Sequence, residues 1–83
     1  MEISVQPQGN NCFHIHTNKG TFLQSYNSII AFMPNIGKTQ LDARFWRYSK
    51  TTGKHRNEFL GESITETRAK IKSKEYILTD LNK

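Results

Sequence analysis

The stretch FWRYSKTTGKHRNEFLG, residues 45–61, lies where the chain changes from a strand-like to a helix-like sequence. Two aromatic residues open it, and the hydroxyl residues Ser49, Thr51 and Thr52 that follow are possible helix N-caps. Gly61 suits the position just beyond a helix C-terminus. These residues predict a short helix from about Thr52 to Leu60, placed directly after a sheet.

The residues before this stretch have the pattern of short strands joined by tight turns. Apolar and polar residues alternate, and Asn, Gly and Pro interrupt them, first at Pro7–Asn11. Ser28–Met33 is apolar on both faces, as expected of a central strand. The predicted strands lie at Ile3–Val5, Cys12–Thr17, Thr21–Tyr26, Ser28–Met33 and Thr39–Arg44. Their order and short turns predict an antiparallel β-meander.

The residues after the stretch predict a second helix and a last strand. Ser63 and Glu66 have the spacing of a capping box, so a helix should run from Ser63 to about Ser73. Tyr76–Leu78 is β-prone and can pair with an edge of the meander. We therefore expect one α+β domain over residues 1–83, with an antiparallel sheet of four to six strands and two short helices in the C-terminal half.

Size and composition restrict the class of protein further. A chain of 83 residues that is 35% hydrophobic and 11% aromatic can bury one modest core and is too aromatic for a disordered protein. Its longest apolar run, Ile29–Met33, is much shorter than the roughly 20 residues that span a bilayer, and no signal segment opens the chain. Cys12 is the only cysteine, so no internal disulfide can form. These features predict a cytoplasmic protein without a membrane partner.

The charges are unevenly distributed along the chain. Its net charge is +5, yet the first 41 residues contain only Glu2, Lys19 and Lys38 as charged side chains. Residues 44–56 contain five cations and no acidic residue. If the strand continued to Trp46, Phe45 and Trp46 would face opposite sides, so one ring could fill the core while the other covered an edge or stayed accessible. Tyr48 would share the face of Trp46. Cations that bind phosphates beside a ring that stacks on a base are typical of nucleic-acid contact.

This pattern identifies candidate binding residues, but a purely structural role for the same residues is the alternative. The alternative places Trp46 and Tyr48 in the core and leaves the cations to solvate a loop. Hydroxyls of the helix start could add phosphate contacts. The candidate nucleic-acid or partner-binding residues are Arg44, Trp46, Arg47, Tyr48, Lys50, Lys54, His55 and Arg56.

A metal site is the best alternative use of the N-terminal half. On a strand, Cys12, His14 and His16 would share one face at spacings of roughly 7 Å, which permits two or three ligands to one ion. A fourth ligand and supporting carboxylates are missing nearby, and a polar outer face with Phe13 and Ile15 inward explains the same alternation. We therefore predict neither a metal site nor a cofactor.

Catalysis has little support in the sequence. Gly37-Lys38-Thr39 and Gly53-Lys54-His55 imitate phosphate-binding loops, but both lack the leading glycine, which is replaced by Phe32 in the first case. A histidine could in principle activate Cys12, Ser25 or Ser49, but catalysis needs a base and an orienting group that converge on one pocket, and a domain this small has little room for one. The expectation is a protein that is not an enzyme.

Several short motifs are spread over the chain from Phe22 to Asn82. They are Phe22-x-x-Ser25-Tyr26, Ile30-Ala31, Trp46-x-Tyr48-Ser49-x-Thr51-Thr52-x-Lys54, Phe59-Leu60-Gly61 and Leu78-Thr79-Asp80-Leu81-Asn82. In these motifs the chain resembles a group of small proteins of unknown function encoded by tailed bacteriophages. The resemblance implies a phage or mobile-element accessory protein, with no activity, cofactor or catalytic residue attached. Such a protein would act in the cytoplasm of a host cell.

The function expected from these observations is stoichiometric binding of DNA or RNA through the basic and aromatic residues, with little sequence discrimination. The alternative is an inhibitor that docks on a host protein, for example a defence nuclease, through the same residues. Trp, Tyr and Arg are enriched in protein–protein hot spots as well, so composition does not separate these two functions. A third option is an oligomer built through an exposed sheet edge. We expect a monomer or a homodimer.

Overall fold

The computed structural model describes residues 3–9 and 11–82, which form six strands and two helices. This is an α+β fold with both helices in the C-terminal half, as predicted. Within the described residues, no helix has the length and apolar character needed to cross a membrane. The elements are β1 Ile3–Gly9, β2 Cys12–Thr17, β3 Gly20–Ser25, β4 Ser28–Pro34, β5 Gln40–Asp42, α1 Lys50–Leu60, α2 Ile64–Lys72 and β6 Ile77–Thr79.

The six strands form one sheet in the order of the sequence. The strands from β1 to β5 pair antiparallel, which confirms the predicted meander, and β4 is central in the sheet. The last strand pairs with an edge, also as predicted, but β6 runs parallel to β5 because α1 and α2 carry the chain back to the starting end of β5. The predicted turn Pro7–Asn11 is shorter than expected, since β1 continues to Gly9, and its residue Asn10 lies outside the described residues.

The strand predicted at Thr39–Arg44 is shorter in the structure and ends at Asp42. The carboxylate of Asp42 accepts hydrogen bonds from the backbone N–H groups of Arg44 at 3.1 Å and Phe45 at 2.9 Å, which turns the chain. Phe45 and Trp46 therefore lie in a turn. The premise that they face opposite sides of a strand is wrong, because the Asp42 side chain competes with the sheet for these amides.

Both helices begin at predicted caps, and α1 also ends at its predicted cap. The Ser49 hydroxyl accepts a hydrogen bond from Thr52 N at 3.1 Å, so α1 begins at Lys50, two residues before the predicted start. Gly61 ends α1 in the left-handed conformation, with φ of 68°. Ser63 and Glu66 form the predicted capping box of α2.

The helices cover one face of the sheet, and the core lies between these two layers. Cys12 is buried on this face, and His14 contacts the ring of Phe59 edge-on at 4.9 Å. The expectation that Phe13 and Ile15 point inward is thus wrong. Helix α1 lies over the side of β2 that carries Cys12 and His14, so alternation places Phe13 and Ile15 on the other side. The buried apolar residues are Cys12, Leu23, Ile30, Ala31, Leu41 and Trp46.

Candidate nucleic-acid interface

A groove of about 800 Å³ lies in the helical layer, where α1 begins and the first turns of α2 approach it. Five of its lining residues are cations, and no carboxylate is among them. Helix α1 has no acidic residue in its first turn, so the positive end of its dipole adds to these charges. We call this feature the basic groove, and its lining residues are Arg47, Ser49, Lys50, Thr51, Gly53, Lys54, Arg56, Asn57, Ile64 and Arg68.

Arg56 is the buried cation of the basic groove, with only 1% of its surface exposed. Its Nη1 donates to the backbone carbonyl of Trp46 at 2.6 Å, and Nη2 donates to Asn57 Oδ1 at 3.0 Å. Its Nε has no hydrogen-bond partner among the described residues. Burial lowers the pKa of Arg56, and the charge of Arg68 lowers it further against the opposing effect of Glu62. Dipoles thus compensate Arg56 in place of an ion pair, and its charge adds to the positive potential of the groove.

Trp46 supports the basic groove from within the core. Two guanidinium groups lie over its ring, since the Cζ atoms of Arg47 and Arg56 are each 5.4 Å from the ring centroid. Only 7% of Trp46 is exposed. In this position the ring cannot stack on a base, and it holds Arg56 in place.

Tyr48 is the accessible aromatic residue of the predicted set. Its side chain is 70% exposed, and its ring contacts Phe45 in an edge-on arrangement at 5.5 Å. Arg44 lies over the other aromatic of this pair, 5.9 Å from the Phe45 centroid, and lines a separate small cleft that includes Asp42 and Asp80. The structure therefore separates Arg44 from the basic groove and leaves Tyr48 free beside Arg47 in the chain.

His55 points away from the basic groove, into the contact between α1 and β3. Its Nδ1 lies 2.9 Å from the hydroxyl of Ser25, which also lies 3.1 Å from Thr52 Oγ1. Ser25 and Thr52 are buried, so the serine–histidine pair offers no accessible nucleophile. Its hydrogen bonds join the helix to the sheet. Of the eight predicted binding residues, the basic groove brings together Arg47, Lys50, Lys54 and Arg56.

Arg68 is the fifth cation that lines the basic groove. It was not among the binding residues predicted from the sequence. It lies on α2, between Glu66 and Lys70, where mixed charges are typical of a solvated helix face. The available signal is its spacing from Ile64, because residues four apart share one side of a helix and both line the groove.

The residues considered for a metal site serve other contacts. Within residues 3–9 and 11–82, no group of three His, Cys, Asp or Glu side chains is placed to hold a metal ion. The ring of His16 lies 3.1 Å from Thr21 Oγ1 and 3.3 Å from Gln6 Oε1. Burial raises the pKa of the Cys12 thiol, and the nearby charge of Glu58 raises it further. A protonated thiol is a poor metal ligand and a poor nucleophile.

The fold and the groove define a small α+β protein with a cationic groove in its helical layer. The chain belongs to a family of unknown function, DUF8033, whose model matches residues 3–78. The matched range includes all the residues that line the basic groove. No curated protein and no solved structure matches this chain.

Proposed function

We propose that the protein binds nucleic acid through the basic groove, by phosphate contacts that discriminate little between sequences. The observation that carries this proposal is the convergence of five cations on one groove whose lining includes no carboxylate. Phosphate contacts of this kind supply most of sequence-independent affinity for nucleic acid. The resemblance to small phage proteins supports a role in stoichiometric binding without catalysis.

The cations of the basic groove are of two kinds, four with exposed, flexible side chains and one, Arg56, that is buried and fixed. Lys50 and Lys54 are exposed on α1, one helical turn apart, and Arg47 and Arg68 are exposed on either side. Arg56 contributes a fixed positive potential from beneath them. Four mobile cations around one buried cation suit a chain of phosphates, because each long side chain can adjust to a different phosphate spacing.

Tyr48 extends the proposed interface beyond the groove. It is exposed and close in sequence to Arg47, so a base of a single strand could stack on its ring while phosphates occupy the groove. We therefore expect single-stranded nucleic acid to bind more tightly than a duplex of the same length. Tyr48→Ala should remove this preference and leave duplex binding unchanged.

The test is the salt dependence of affinity, measured by fluorescence anisotropy with labelled single-stranded and duplex oligonucleotides. Affinity should fall steeply between about 50 mM and about 200 mM salt. The variant Lys50→Ala with Lys54→Ala should lower affinity and reduce the magnitude of the slope of log K against log salt by about 1.4 on a single strand. The matched control is Lys19→Ala with Lys72→Ala, which removes the same charge from exposed positions outside the groove and should have a smaller effect.

Two results would contradict the proposal. One is the absence of binding to DNA and RNA at low salt. The other is an equal loss of affinity in the groove variant and its matched control, which would attribute binding to net charge alone. Capture of a host protein that survives nuclease treatment, with no affinity for nucleic acid, would favour the alternative in which Tyr48 and the same cations dock on a protein.

A further inference from the structure

The sheet has one face that neither helix covers. On it, four side chains from neighbouring strands form a continuous row, because Val5 pairs with Ile15, Ile15 with Phe22 and Phe22 with Phe32. The rings of Phe22 and Phe32 stack with centroids 4.2 Å apart. Ile3, next but one to Val5 on β1, extends the apolar surface toward the edge. We call this side of the sheet the outer face.

Over strands β1 to β4, the outer face lacks the charged side chains that are typical of a solvent-exposed sheet face. A solvated face of an antiparallel sheet usually alternates to polar residues, and edge strands usually carry charges that prevent association. Strands β1 to β4 contain no Asp, Glu, Lys or Arg. On the edge strand, Ile3 is 61% exposed and Val5 is 55% exposed. The other members of the row, Ile15, Phe22 and Phe32, are partly exposed. An uncharged and apolar sheet face that is still partly exposed indicates a surface that packs against a partner.

We propose that this partner is a second copy of the chain, packed back to back through the outer faces of the two sheets. Charge favours this arrangement over other contacts between copies. Each chain carries a net charge of +5, and the basic groove lies in the helical layer, on the other side of the sheet. Contact through the outer faces brings uncharged surfaces together and holds the two basic grooves apart, whereas contact through the helical layers would oppose like charges.

The area of the outer face is sufficient for a weak, specific dimer. All six strands contribute to this area. With strands about 4.8 Å apart and a rise of about 3.3 Å per residue, the outer face covers about 500 Å². Two such faces in contact bury about 1,000 Å² in total, the lower limit for a specific interface. Sheets that pack in this way interdigitate their side chains at a spacing of about 10 Å, and the stacked pair of Phe22 and Phe32 would lie within that layer.

The dimer and the proposed nucleic-acid binding respond to salt in opposite directions. Salt screens the repulsion between two cationic chains, so dimerisation should strengthen or stay unchanged as salt rises. Binding of nucleic acid should weaken instead. The two proposals use different surfaces, so either can fail without the other.

The test is sedimentation equilibrium of the protein alone from about 10 µM to about 1 mM, the range in which a small interface gives a measurable dimer. The wild type should pass from monomer to dimer across this range. Val5→Lys places a cation in the row on each copy and should raise the dissociation constant at least about tenfold. Ile36→Lys is the matched control, since Ile36 is 93% exposed in the loop after β4, outside the paired strands, and should leave dimerisation unchanged.

The interface can also be located without a substitution. In a sample of mixed isotope-labelled and unlabelled chains, nuclear Overhauser effects between the rings of Phe22 and Phe32 of different copies should appear. A wild type that remains monomeric throughout the range would overturn the proposal and leave the outer face to a different protein. A dimer without these contacts, or one that Val5→Lys and Ile36→Lys affect equally, would overturn it as well.

Discussion

The guanidinium of Arg56 donates a hydrogen bond to the backbone carbonyl of Trp46 at 2.6 Å and lies against its ring, 5.4 Å from the centroid. One side chain of α1 thereby fixes both the backbone and the ring of the turn that follows β5. The carbonyl would otherwise be a buried acceptor without a donor, and the buried cation would keep only its hydrogen bond to Asn57. The two residues therefore stabilise each other, and the basic groove is built on their contact.

Replacement of Arg56 by alanine should lower the free energy of unfolding by about 2–4 kcal/mol, because it leaves a cavity and an unsatisfied carbonyl in the core. Trp46 is the only tryptophan, so its fluorescence reports this site directly. Its emission should shift to longer wavelength as water reaches the ring. Urea unfolding followed by this emission measures both effects.

The control for this substitution is Arg47→Ala, which removes the other guanidinium that lies over the same ring. Arg47 is exposed, so its cation–π contact is largely screened and its loss should cost less than about 1 kcal/mol. Equal losses of stability in the two variants would contradict the role assigned to the buried contact.

The order of the elements was predictable from sequence because local signals set it. Turn residues separate the strands, and Ser49, Gly61 and Ser63 begin or end helices through contacts with their own neighbours. The length of β5 was predictable only in part, since Asp42 ends the strand through local hydrogen bonds from Arg44 and Phe45 but also accepts a third from Leu81, 39 residues along the chain. Such a long-range partner leaves no trace in local periodicity.

Asp42 links the end of β5 to the C-terminal segment, and its replacement by asparagine should destabilise the fold. An amide offers one acceptor oxygen to donors that now occupy both carboxylate oxygens, so at least one buried N–H would lose its partner, at a cost of about 2 kcal/mol at neutral pH. Burial alone would raise the pKa of Asp42, but the backbone N–H groups of Leu81, Phe45 and Arg44 outweigh it and lower the pKa.

The lowered pKa of Asp42 determines how the stability lost in Asp42→Asn depends on pH. Because the folded-state pKa is lowered, the stability that Asp42 contributes is present above its ordinary pKa and is lost as pH falls through the folded-state value. The difference in unfolding free energy between wild type and Asp42→Asn should therefore shrink on acidification. Asp80→Asn, at an exposed position, is the control and should show little difference at any pH. A constant difference for Asp42→Asn would contradict the carboxylate's assigned role.

Glu62 anchors α2 and Tyr76 through a second buried carboxylate. It accepts hydrogen bonds from Lys70 Nζ and Thr67 Oγ1 at 2.7 Å and from the Tyr76 hydroxyl at 2.8 Å. Burial acts to raise the pKa of Glu62, but these hydrogen bonds outweigh it and lower the pKa. Glu62→Gln should cost about 1–2 kcal/mol at neutral pH, an effect that fades as pH falls through the folded-state pKa.

A spectroscopic titration tests the hydrogen bond between Tyr76 and Glu62 independently of the stability of the fold. Burial raises the pKa of Tyr76, and the hydrogen bond to Glu62 together with its charge raises it further. In Glu62→Gln, tyrosinate absorbance assigned to Tyr76 by comparison with Tyr76→Phe should appear at lower pH than in the wild type. The same titration in Glu58→Gln, at an exposed position, should match the wild type, and a titration of Tyr76 unchanged by Glu62→Gln would refute the contact.

The candidate site was predictable only in part, because sequence shows which cations are close along the chain and not which way they point. Helical geometry turns His55 toward Ser25 and leaves Lys54 in the groove, although the two are adjacent. Arg68 joins the groove through the packing of α2, and its spacing from Ile64 marks only the side of the helix on which it lies. The run of cations thus indicated where along the chain the groove lies, but not which of its members line it.

A substitution at Gly53 should change both the stability of α1 and binding in the basic groove. A glycine inside a helix is less stable than alanine by about 0.5–1 kcal/mol. A Cβ at this position would lie 3.6 Å and 3.7 Å from the terminal nitrogens of Arg56, an ordinary contact without strain. Gly53→Ala should therefore raise the free energy of unfolding by about that amount.

The same methyl group should weaken binding, because it would stand between the groove and the guanidinium of Arg56. If the fixed charge of Arg56 acts on phosphates through the gap at Gly53, affinity for a single-stranded oligonucleotide at low salt should fall at least about threefold. Thr65→Ala, at an exposed position on α2, raises helix propensity without entering the groove and should gain stability with affinity unchanged. A Gly53→Ala protein that is more stable and binds as tightly as the wild type would show that Arg56 serves the fold alone, with phosphate contact left to the exposed cations.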